Sequence, residues 1–200
     1  MKKIGLLATS LIACMSLAGC GNKTSKLKIA SDQSLTKVGQ YHEANSEDPK
    51  MTLIAIKHIN KTQKVDQVTF KFNDAKLIKM EARNKGQLAE DETNFGVNLP
   101  KTYYEYQLDY TIKNNSNSKI NDNGAELILP NSKQVSSNEG AMDSLAGEKI
   151  QSHASKDGFI QAKAGKSDKD KLTKFKFVSP ELFDNKSEVV NIDQHTISFN

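Results

Sequence analysis

Short apolar and alternating runs, separated by turn-forming residues, make up the chain from residue 51 onward. The clearest run is residues 104–112, where Tyr104, Tyr106, Leu108, Tyr110 and Ile112 alternate with polar residues. A period of two places these five side chains on one face of a strand, whereas a helix would scatter them. We interpret this face as part of a buried core. The alternative is an exposed tyrosine stripe that contacts sugars or a partner protein.

Further runs predict seven more strand segments: 51–56, 68–72 with a bent continuation over 75–82, 125–129, 159–162, 173–177, 189–190 and 196–199. Asn and Ser fill residues 114–118, a composition typical of a turn. Residues 83–100 are polar and contain two glycines and a proline, so we predict a loop there. A short helix or helical turn is possible at residues 142–150. About seven or eight strands without a long helix are typical of an antiparallel sandwich or barrel.

Residues 21–50 differ from the rest because charged, hydroxyl and amide residues dominate them. The apolar residues Leu27, Ile29, Leu35 and Val38 are scattered. Such a segment buries too little apolar surface to offset its ordering entropy, so we predict a flexible tether over residues 20–50. An amphipathic helix is disfavoured because the apolar residues do not recur at i, i+3 and i+4.

The first twenty residues have the order of a secretory signal: Lys2 and Lys3, an apolar stretch over residues 4–17, and small residues before Cys20. The run Leu-Ala-Gly-Cys that ends at Cys20 resembles the bacterial lipobox. The resemblance implies that the Cys20 thiol receives a diacylglyceryl group and that the chain is cut between Gly19 and Cys20. It also implies that acyl chains, palmitate among them, hold the protein on the membrane.

Two alternatives explain these residues less well. A transmembrane anchor needs about 20 apolar residues, and residues 4–17 are fewer and include polar positions. An ordinary secretion signal needs no cysteine at the cleavage position. We therefore expect a signal peptide over 1–19, a lipidated tether over 20–50 and one domain over 51–200. The predicted location is the extracytoplasmic face of the cell membrane, with membrane lipid as a partner through acylated Cys20.

Composition narrows the possible partners and cofactors. The formal charge is +4, and removal of Lys2 and Lys3 with the signal lowers it to +2, too little and too dispersed to predict nucleic-acid binding. The two cysteines are Cys14, inside the signal, and Cys20, so the mature chain has no thiol for a disulfide, a metal site or a nucleophile. We expect a monomer without a cofactor.

One stretch carries a family resemblance. Residues 106–116, Tyr-Gln-Leu-Asp-Tyr-Thr-Ile-Lys-Asn-Asn-Ser, are similar to the central strand and turn of a family of small Gram-positive surface lipoproteins. Residues 124–129 and 171–178 resemble two later strands of that family, and the likeness spans roughly residues 51–199. Membership implies an immunoglobulin-like β-sandwich, related in fold to a mycobacterial secreted immunoprotective antigen. The domain is of unknown function, so the resemblance implies no catalytic residues. The long polar stretch over residues 142–159 departs from the family pattern.

The sequence offers no catalytic or metal-binding pattern. His42, His58, His153 and His195 are isolated, without the short spacing of a zinc site. There is no GxSxG motif and no glycine-rich phosphate loop. The segment Asp-Asn-Gly at residues 122–124 has some character of a calcium loop but lacks the closing glutamate, and a type I′ turn explains it as well.

Three residues are candidates for surface contacts. Tyr103 lies on the strand face opposite the tyrosine row, so we expect it to be exposed. Lys174 and Lys176 alternate with two phenylalanines and would make one sheet face basic, suited to anionic wall polymers or lipid head groups. Such lysines also occur merely to protect edge strands from pairing.

The resulting hypothesis is a membrane-anchored, non-enzymatic binding or interaction module at the bacterial cell surface, with an unknown protein or cell-wall ligand. One alternative is an accessory or sensory lipoprotein that docks on a membrane protein, as in phage-exclusion lipoproteins of lactic bacteria. The other is an envelope hydrolase or metalloenzyme. Convergence of His153, His195 and an acidic residue in one cleft would favour the hydrolase.

Overall fold

The computed structural model describes residues 26–43, 48–137, 139–184 and 194–199. Helix α1 spans Lys85–Phe95, and a 3₁₀ helix spans Asp168–Lys171. The strands in the described residues are β1 Leu27–Lys28, β2 Gln40–His42, β3 Lys50–Val65, β4 Val68–Glu81, β5 Thr102–Asn114, β6 Ile120–Asp122, β7 Glu126–Ile128, β8 Gln134–Val135, β9 Ala141–Asp143, β10 Lys149–Ile150, β11 Ser155–Ala164, β12 Lys176–Val178, β13 Leu182–Asp184 and β14 Thr196–Ser198. The fold is all-β, with 51% of the described residues in strands and 9% in helix.

The described strands form three sheets. The large sheet has the order β1-β2-β3-β4-β5-β11-β9, and two smaller sheets have the orders β10-β6-β13 and β14-β12-β7-β8. Neighbouring strands pair antiparallel, apart from the parallel pair β1–β2. The described residues therefore contain fourteen strands instead of the predicted seven or eight, because many strands are only two or three residues long.

The main core lies between one face of the large sheet and the two smaller sheets. Phe70 and Tyr110 from the large sheet pack with Ile120 from β6 and with Leu127 and Phe177 from the four-stranded sheet. The Phe177 ring centroid lies 5.4 Å from that of Phe70 and 5.3 Å from that of Tyr110. Since both layers bury their inner faces against each other, the architecture is a sandwich, as predicted.

The row of alternating residues on β5 supplies this core. Tyr106, Leu108, Tyr110 and Ile112 are 0–1% exposed, which confirms the core interpretation over the exposed stripe. Aromatic side chains bury a large apolar area each, so this row contributes much of the stability of the sandwich.

The opposite face of the large sheet carries a second, smaller core. Leu35 from the N-terminal segment, Ile78 from β4, Phe95 from α1, Leu99 and Tyr103 are buried together there. The second face is therefore covered at this end by α1 and by the N-terminal segment.

Helix α1 replaces part of the predicted loop at residues 83–100. The Asn84 side chain accepts a hydrogen bond from the backbone N–H of Gln87, at 2.8 Å, and so caps the N-terminus. Gly96 ends the helix with φ 62°, a conformation that glycine adopts without strain. The loop prediction is wrong here because α1 has no apolar stripe, although both capping residues stand in the sequence.

The flexible tether is also wrong for residues 26–43. Backbone N–H groups of Leu27 and Ile29 donate to the carbonyl oxygens of Gly39 and Tyr41, and Leu35 is 4% exposed. The domain therefore begins near residue 26 instead of residue 51. Backbone pairing at a sheet edge needs no periodic apolar pattern, so the sequence gives no signal for it.

Other expectations have mixed outcomes. The turn at residues 114–118 is confirmed, whereas residues 141–143 form β9 instead of the start of a helix. The strand predicted at residues 189–190 lies outside the described residues. No helix in the described part of the chain is long and apolar enough to cross a membrane.

Candidate functional site

An open cleft of about 630 Å³ lies over the second face of the large sheet. Residues 31–35 of the N-terminal segment form one wall. The floor includes Lys76 from β4, Gln107 and Asp109 from β5, and Gln161 from β11. These residues alternate along their strands with residues of the main core, because successive side chains of a strand point to opposite faces.

A chain of hydrogen bonds runs across the cleft floor. Lys76 Nζ contacts Asp109 Oδ2 at 2.5 Å, and Gln107 Nε2 donates to Asp109 Oδ1 at 2.6 Å. Gln161 Nε2 then donates to Gln107 Oε1 at 3.1 Å. Lys76 is 2% exposed and Gln161 is 5% exposed, so these polar groups are fixed by one another instead of by solvent.

A β-bulge places a second polar pair in the cleft. Phe72 pairs with Tyr110 and Ala75 pairs with Leu108, so β4 has one extra residue opposite β5. The bulge contains Asn73 and Asp74, which both line the cleft. Asp74 Oδ1 lies 2.6 Å from His58 Nδ1 of β3. The bulge therefore sets the position of Asp74. In the sequence, the bulge is visible only as the pair Asn73-Asp74.

Carboxylates outnumber cations in the lining. Asp32, Asp74, Asp109 and Asp157 line the cleft, whereas Lys76 is the one lysine or arginine among its described lining residues. Lys76 is paired with Asp109, and Asp157 accepts a hydrogen bond from the Thr111 hydroxyl at 2.6 Å. The cleft therefore presents surplus negative charge, together with amide groups and the half-buried ring of Phe159.

The histidines do not converge. His42, predicted in the tether, lies on β2 and lines the cleft. His153 Nε2 contacts Asn117 Oδ1 at 3.1 Å, and the backbone of His195 pairs with Ser179. Neither His153 nor His195 is among the described residues that line the cleft.

Tyr103 is buried, so the expectation that it is exposed is wrong. Its side chain is 3% exposed beneath α1, and its hydroxyl donates to Asp91 Oδ2 of that helix at 2.5 Å. The cause is α1 itself, which covers the face on which Tyr103 lies. Next to it, burial and the charge of Asp91 raise the pKa of Glu105 to about 8.

Lys174 and Lys176 are both exposed, as predicted. Lys176 begins β12, whereas Lys174 precedes the strand in a turn where its N–H donates to the Lys171 carbonyl at 2.9 Å. Because β12 is an internal strand between β14 and β7, protection of an edge strand does not explain Lys176. Gly19 and Cys20, the predicted cleavage and lipidation residues, lie outside the described residues.

The segment at residues 122–124 does not form a type I′ turn. A type I′ turn needs two central residues with positive φ, and only Gly124 of the Asn123-Gly124 pair has one, at 89°. Asp122 Oδ1 instead accepts the Gly124 N–H at 2.7 Å, and the carboxyl is 2% exposed. Burial and the neighbouring Asp143 raise the pKa of Asp122 to about 7.

The residues that form the cleft floor were not predicted from the sequence. Gln107, Asp109 and Thr111 were visible as the polar face of β5, but only the pairing shows that β5 lies in the interior of the large sheet. Polar side chains on an internal strand need hydrogen-bonding partners or another element packed over them. A polar face on a strand that also has a buried apolar face is therefore the sequence feature that could have indicated this site. Within the described residues, no group of three or more His, Cys, Asp or Glu side chains is placed to hold a metal ion.

Comparisons with known proteins extend to the fold and no further. No family model matches the chain, and no curated protein matches it. A functionally unknown protein from Listeria monocytogenes EGD-e is similar in structure, with a TM-score of 0.50 and 15% identity over 74% of this chain and 86% of that one. The yjhA protein from Bacillus subtilis has a TM-score of 0.50 and 17% identity over 72% of this chain and 99% of that one. The structural neighbours are thus functionally unknown proteins of Gram-positive bacteria.

Proposed function

We propose that this protein is a lipid-anchored, non-enzymatic binding module on the extracytoplasmic face of the membrane, and that the cleft over β4, β5 and β11 is its ligand site. The single observation that carries the proposal is the polar floor formed by Lys76, Gln107, Asp109 and Gln161. Its side chains are held by mutual hydrogen bonds before any ligand arrives. Preorganised polar groups reduce the ordering cost of binding.

The size and lining of the cleft support a small ligand. A volume of about 630 Å³ is within the usual range of roughly 300–1,000 Å³ for ligand sites. Apolar walls from Leu35, Met51 and Phe159 accompany the polar floor. This combination suits a ligand that has both a carbon skeleton and several hydrogen-bonding groups.

The charge of the lining favours a cationic group on the ligand. Asp32 and Asp157 are exposed and Asp74 lies beside His58, while Lys76 is already neutralised by Asp109. Like-charged walls attract an oppositely charged ligand and repel anions. The cleft therefore suits amines better than the anionic wall polymers considered for Lys174 and Lys176.

The proposed location rests on the sequence of residues 1–20. The lipobox-like run that ends at Cys20 supports a lipid anchor, and two or more acyl chains give stable membrane attachment. Membership of the Gram-positive lipoprotein family, with its relation in fold to the mycobacterial antigen, is part of the same proposal. It is supported by the resemblance at residues 106–116.

Calorimetric titration of the full chain in detergent tests the binding proposal. Spermidine and pentalysine serve as cationic probes, and pentaglutamate serves as the anionic probe. We expect the cationic probes to bind and their affinity to fall with added salt. Asp157→Asn should weaken binding about 2–5-fold, the value of one exposed ion pair.

Asp170→Asn is the matched control because Asp170 is exposed on the 3₁₀ helix, away from the cleft lining. It should leave the affinity unchanged. Equal binding of pentaglutamate, or the same loss in both variants, would refute a cleft that selects cations.

A further inference from the structure

The second face of the large sheet carries three lysines beyond the cleft, at the end where β3 turns into β4. Lys64 on β3, Lys71 on β4 and Lys113 on β5 are all exposed. Their neighbours along the strands belong to the main core, among them Val65 and Ile112. Because successive side chains of a strand point to opposite faces, the three lysines share the second face with the cleft floor. We call these three residues the lysine cluster.

The strand register brings the side chains of the lysine cluster together. Thr69 of β4 pairs with Lys64 on one side and with Lys113 on the other. Neighbouring strands lie about 4.8 Å apart, so the Cα atoms of Lys64 and Lys113 are about 10 Å apart across Thr69. Lys71 is diagonal to both lysines, at about 7–8 Å. The Thr69 hydroxyl accepts a hydrogen bond from Asn115 Nδ2 at 3.0 Å, which leaves its own proton available to an anion.

The acids near the lysine cluster do not neutralise it. Within the described residues, none of the three lysines forms an ion pair. Asp157 is diagonal to Lys113 in the pairing of β5 with β11, but its carboxylate accepts a hydrogen bond from the Thr111 hydroxyl at 2.6 Å. Asp66 lies in the turn between β3 and β4 and is exposed. The cluster therefore presents positive charge to solvent.

Protection of a sheet edge explains only one member of the cluster. Lysines on an edge strand hinder pairing with another chain, and this explanation fits Lys64, because β2 pairs only with the start of β3. Lys71 and Lys113 lie on β4 and β5, which have paired strands on both sides. Lysine is depleted in strands, and like charges on neighbouring strands repel one another. A bound anion would remove this repulsion.

The position of the lysine cluster in the sheet favours a polymer over a lipid head group. Strand β2 pairs with β3 at Met51 and Thr52, and Lys64 lies about 40 Å further along β3, at about 3.3 Å per residue. A lipid on Cys20 would hold the end of the sheet that contains β1 and β2, so the cluster would lie at the end away from the bilayer. This choice of ligand rests on the proposed anchor, whereas the cluster itself does not.

We propose that the lysine cluster binds a polyol phosphate polymer of the cell wall, with the Thr69 hydroxyl as an additional donor. Lysine binds phosphate as a point charge and does not need the planar geometry that a guanidinium requires. An open sheet face accommodates an extended chain whose successive phosphates reach the three ammonium groups. The cleft on the same face has the opposite charge, so the two sites take different ligands.

Fluorescence anisotropy of a fluorescein-labelled glycerol phosphate hexamer tests this site, with the full chain in a neutral detergent. We expect saturable binding whose affinity falls with added salt. Lys71→Gln and Lys113→Gln should each weaken binding about 2–5-fold, the value of one exposed ion pair. The double variant should lose more affinity than either single variant. Absence of saturable binding at low ionic strength would overturn the proposal.

The double variant Lys174→Gln/Lys176→Gln is the matched control. It removes the same two charges at and before β12, which belongs to the four-stranded sheet, and both lysines are exposed. Its affinity should stay within about 2-fold of the native value. Equal losses in the two double variants would show that the hexamer responds only to net charge, and would refute the site.

Two further measurements separate the lysine cluster from the bilayer and from the cleft. Phosphatidylglycerol mixed into the micelles at an equal phosphate concentration should displace little of the hexamer, and complete displacement would assign the cluster to lipid head groups instead. Spermidine binding should be unchanged in Lys71→Gln/Lys113→Gln, because these lysines lie outside the cleft lining. Any pentaglutamate binding that this double variant removes belongs to the cluster, so the cleft proposal is tested separately.

Discussion

Asn114 shows how one buried polar side chain fixes the end of a strand. It is 0% exposed, and its Nδ2 lies 2.7 Å from the Ser118 carbonyl and 3.1 Å from the Gln151 carbonyl. Its Oδ1 accepts hydrogen bonds from the Ser116 N–H at 2.9 Å and the Ser116 hydroxyl at 2.7 Å. The side chain thus replaces backbone partners where β5 ends, and it joins the following turn to the segment after β10.

Asn114→Ala should therefore destabilise the protein by about 2–4 kcal/mol. The change removes these hydrogen bonds and leaves buried carbonyl oxygens without donors. Asn117→Ala is the control, because Asn117 is exposed in the same turn and should cost less than about 0.5 kcal/mol. Urea unfolding of both variants measures the difference. Equal losses would contradict the role given to Asn114.

Asp122 makes stability depend on pH because it is buried and lies near the charge of Asp143. Its pKa is raised to about 7 by burial and by the Asp143 charge, whereas the pKa of the same group in the unfolded chain is about 3.9. The folded state holds this proton more tightly, so its stabilising effect is complete below about pH 4 and is lost as the pH rises through 7. Asp143 is held by the N–H groups of Ala125 and Leu145 and by the Tyr110 hydroxyl.

Asp122→Asn should remove this dependence. Asparagine keeps an oxygen for the Gly124 N–H but carries no charge, so the stability advantage of the variant over the native chain should grow by about 2–3 kcal/mol from pH 5 to pH 8. Chemical denaturation at several pH values measures the gain, with exposed Asp170→Asn as the control. A difference in stability that stays constant across this pH range would show that Asp122 does not hold the proton.

Among the secondary-structure elements, strands with alternating polar and apolar residues are predicted from the sequence. Elements without such a pattern, such as α1 and strands β1 and β2, are not. Strand β5 is evident from its row of alternating tyrosines, because this alternation indicates a strand with one buried face. The buried residues of helix α1 are Gln87 and Phe95, only one of which is apolar, so periodicity does not reveal the helix. Strands β1 and β2 join the sheet through backbone hydrogen bonds, which leave no side-chain pattern.

The packing of β11 against the turn after β9 depends on Gly158. A Cβ atom at residue 158 would lie 2.4 Å from Leu145 Cγ, far inside van der Waals contact. Leu145 is 2% exposed in the main core, so it has little room to move. Gly158→Ala should therefore cost about 1–3 kcal/mol in the free energy of unfolding.

A double-mutant cycle tests the cause of that loss. In a Leu145→Ala background, Gly158→Ala should cost at least about 1 kcal/mol less, because the side chain that it meets is gone. Additive losses would assign the cost to the backbone of β11 instead.

The cleft is a property of the whole molecule, which explains why the sequence did not locate it. Its wall comes from residues 31–35, and its floor comes from β4, β5 and β11, which are brought together only by the sheet order. The bulge at Asp74 and the helix over Tyr103 add positions that depend on pairing and packing between distant segments. The fold class is predictable from the sequence because local alternation of polar and apolar residues indicates strands. The cleft is not predictable in this way, because its position depends on the register in which distant strands pair.

The described fold begins close to Cys20, which limits how far a lipid on this residue could lie from the domain. Strand β1 begins at Leu27, seven residues after Cys20, and seven extended residues span at most about 25 Å. A lipid on Cys20 would thus keep the domain close to the membrane surface.

Cys20→Ser removes the acylation site, so we expect the variant to be released into the medium or to remain unprocessed, while the native chain stays in the membrane fraction. Cell fractionation with mass spectrometry of the mature amino terminus measures both outcomes. Because Cys14→Ser changes a cysteine inside the predicted signal, it is the matched control and should leave attachment intact. Unchanged membrane retention of the Cys20→Ser variant would exclude a lipid anchor at this residue.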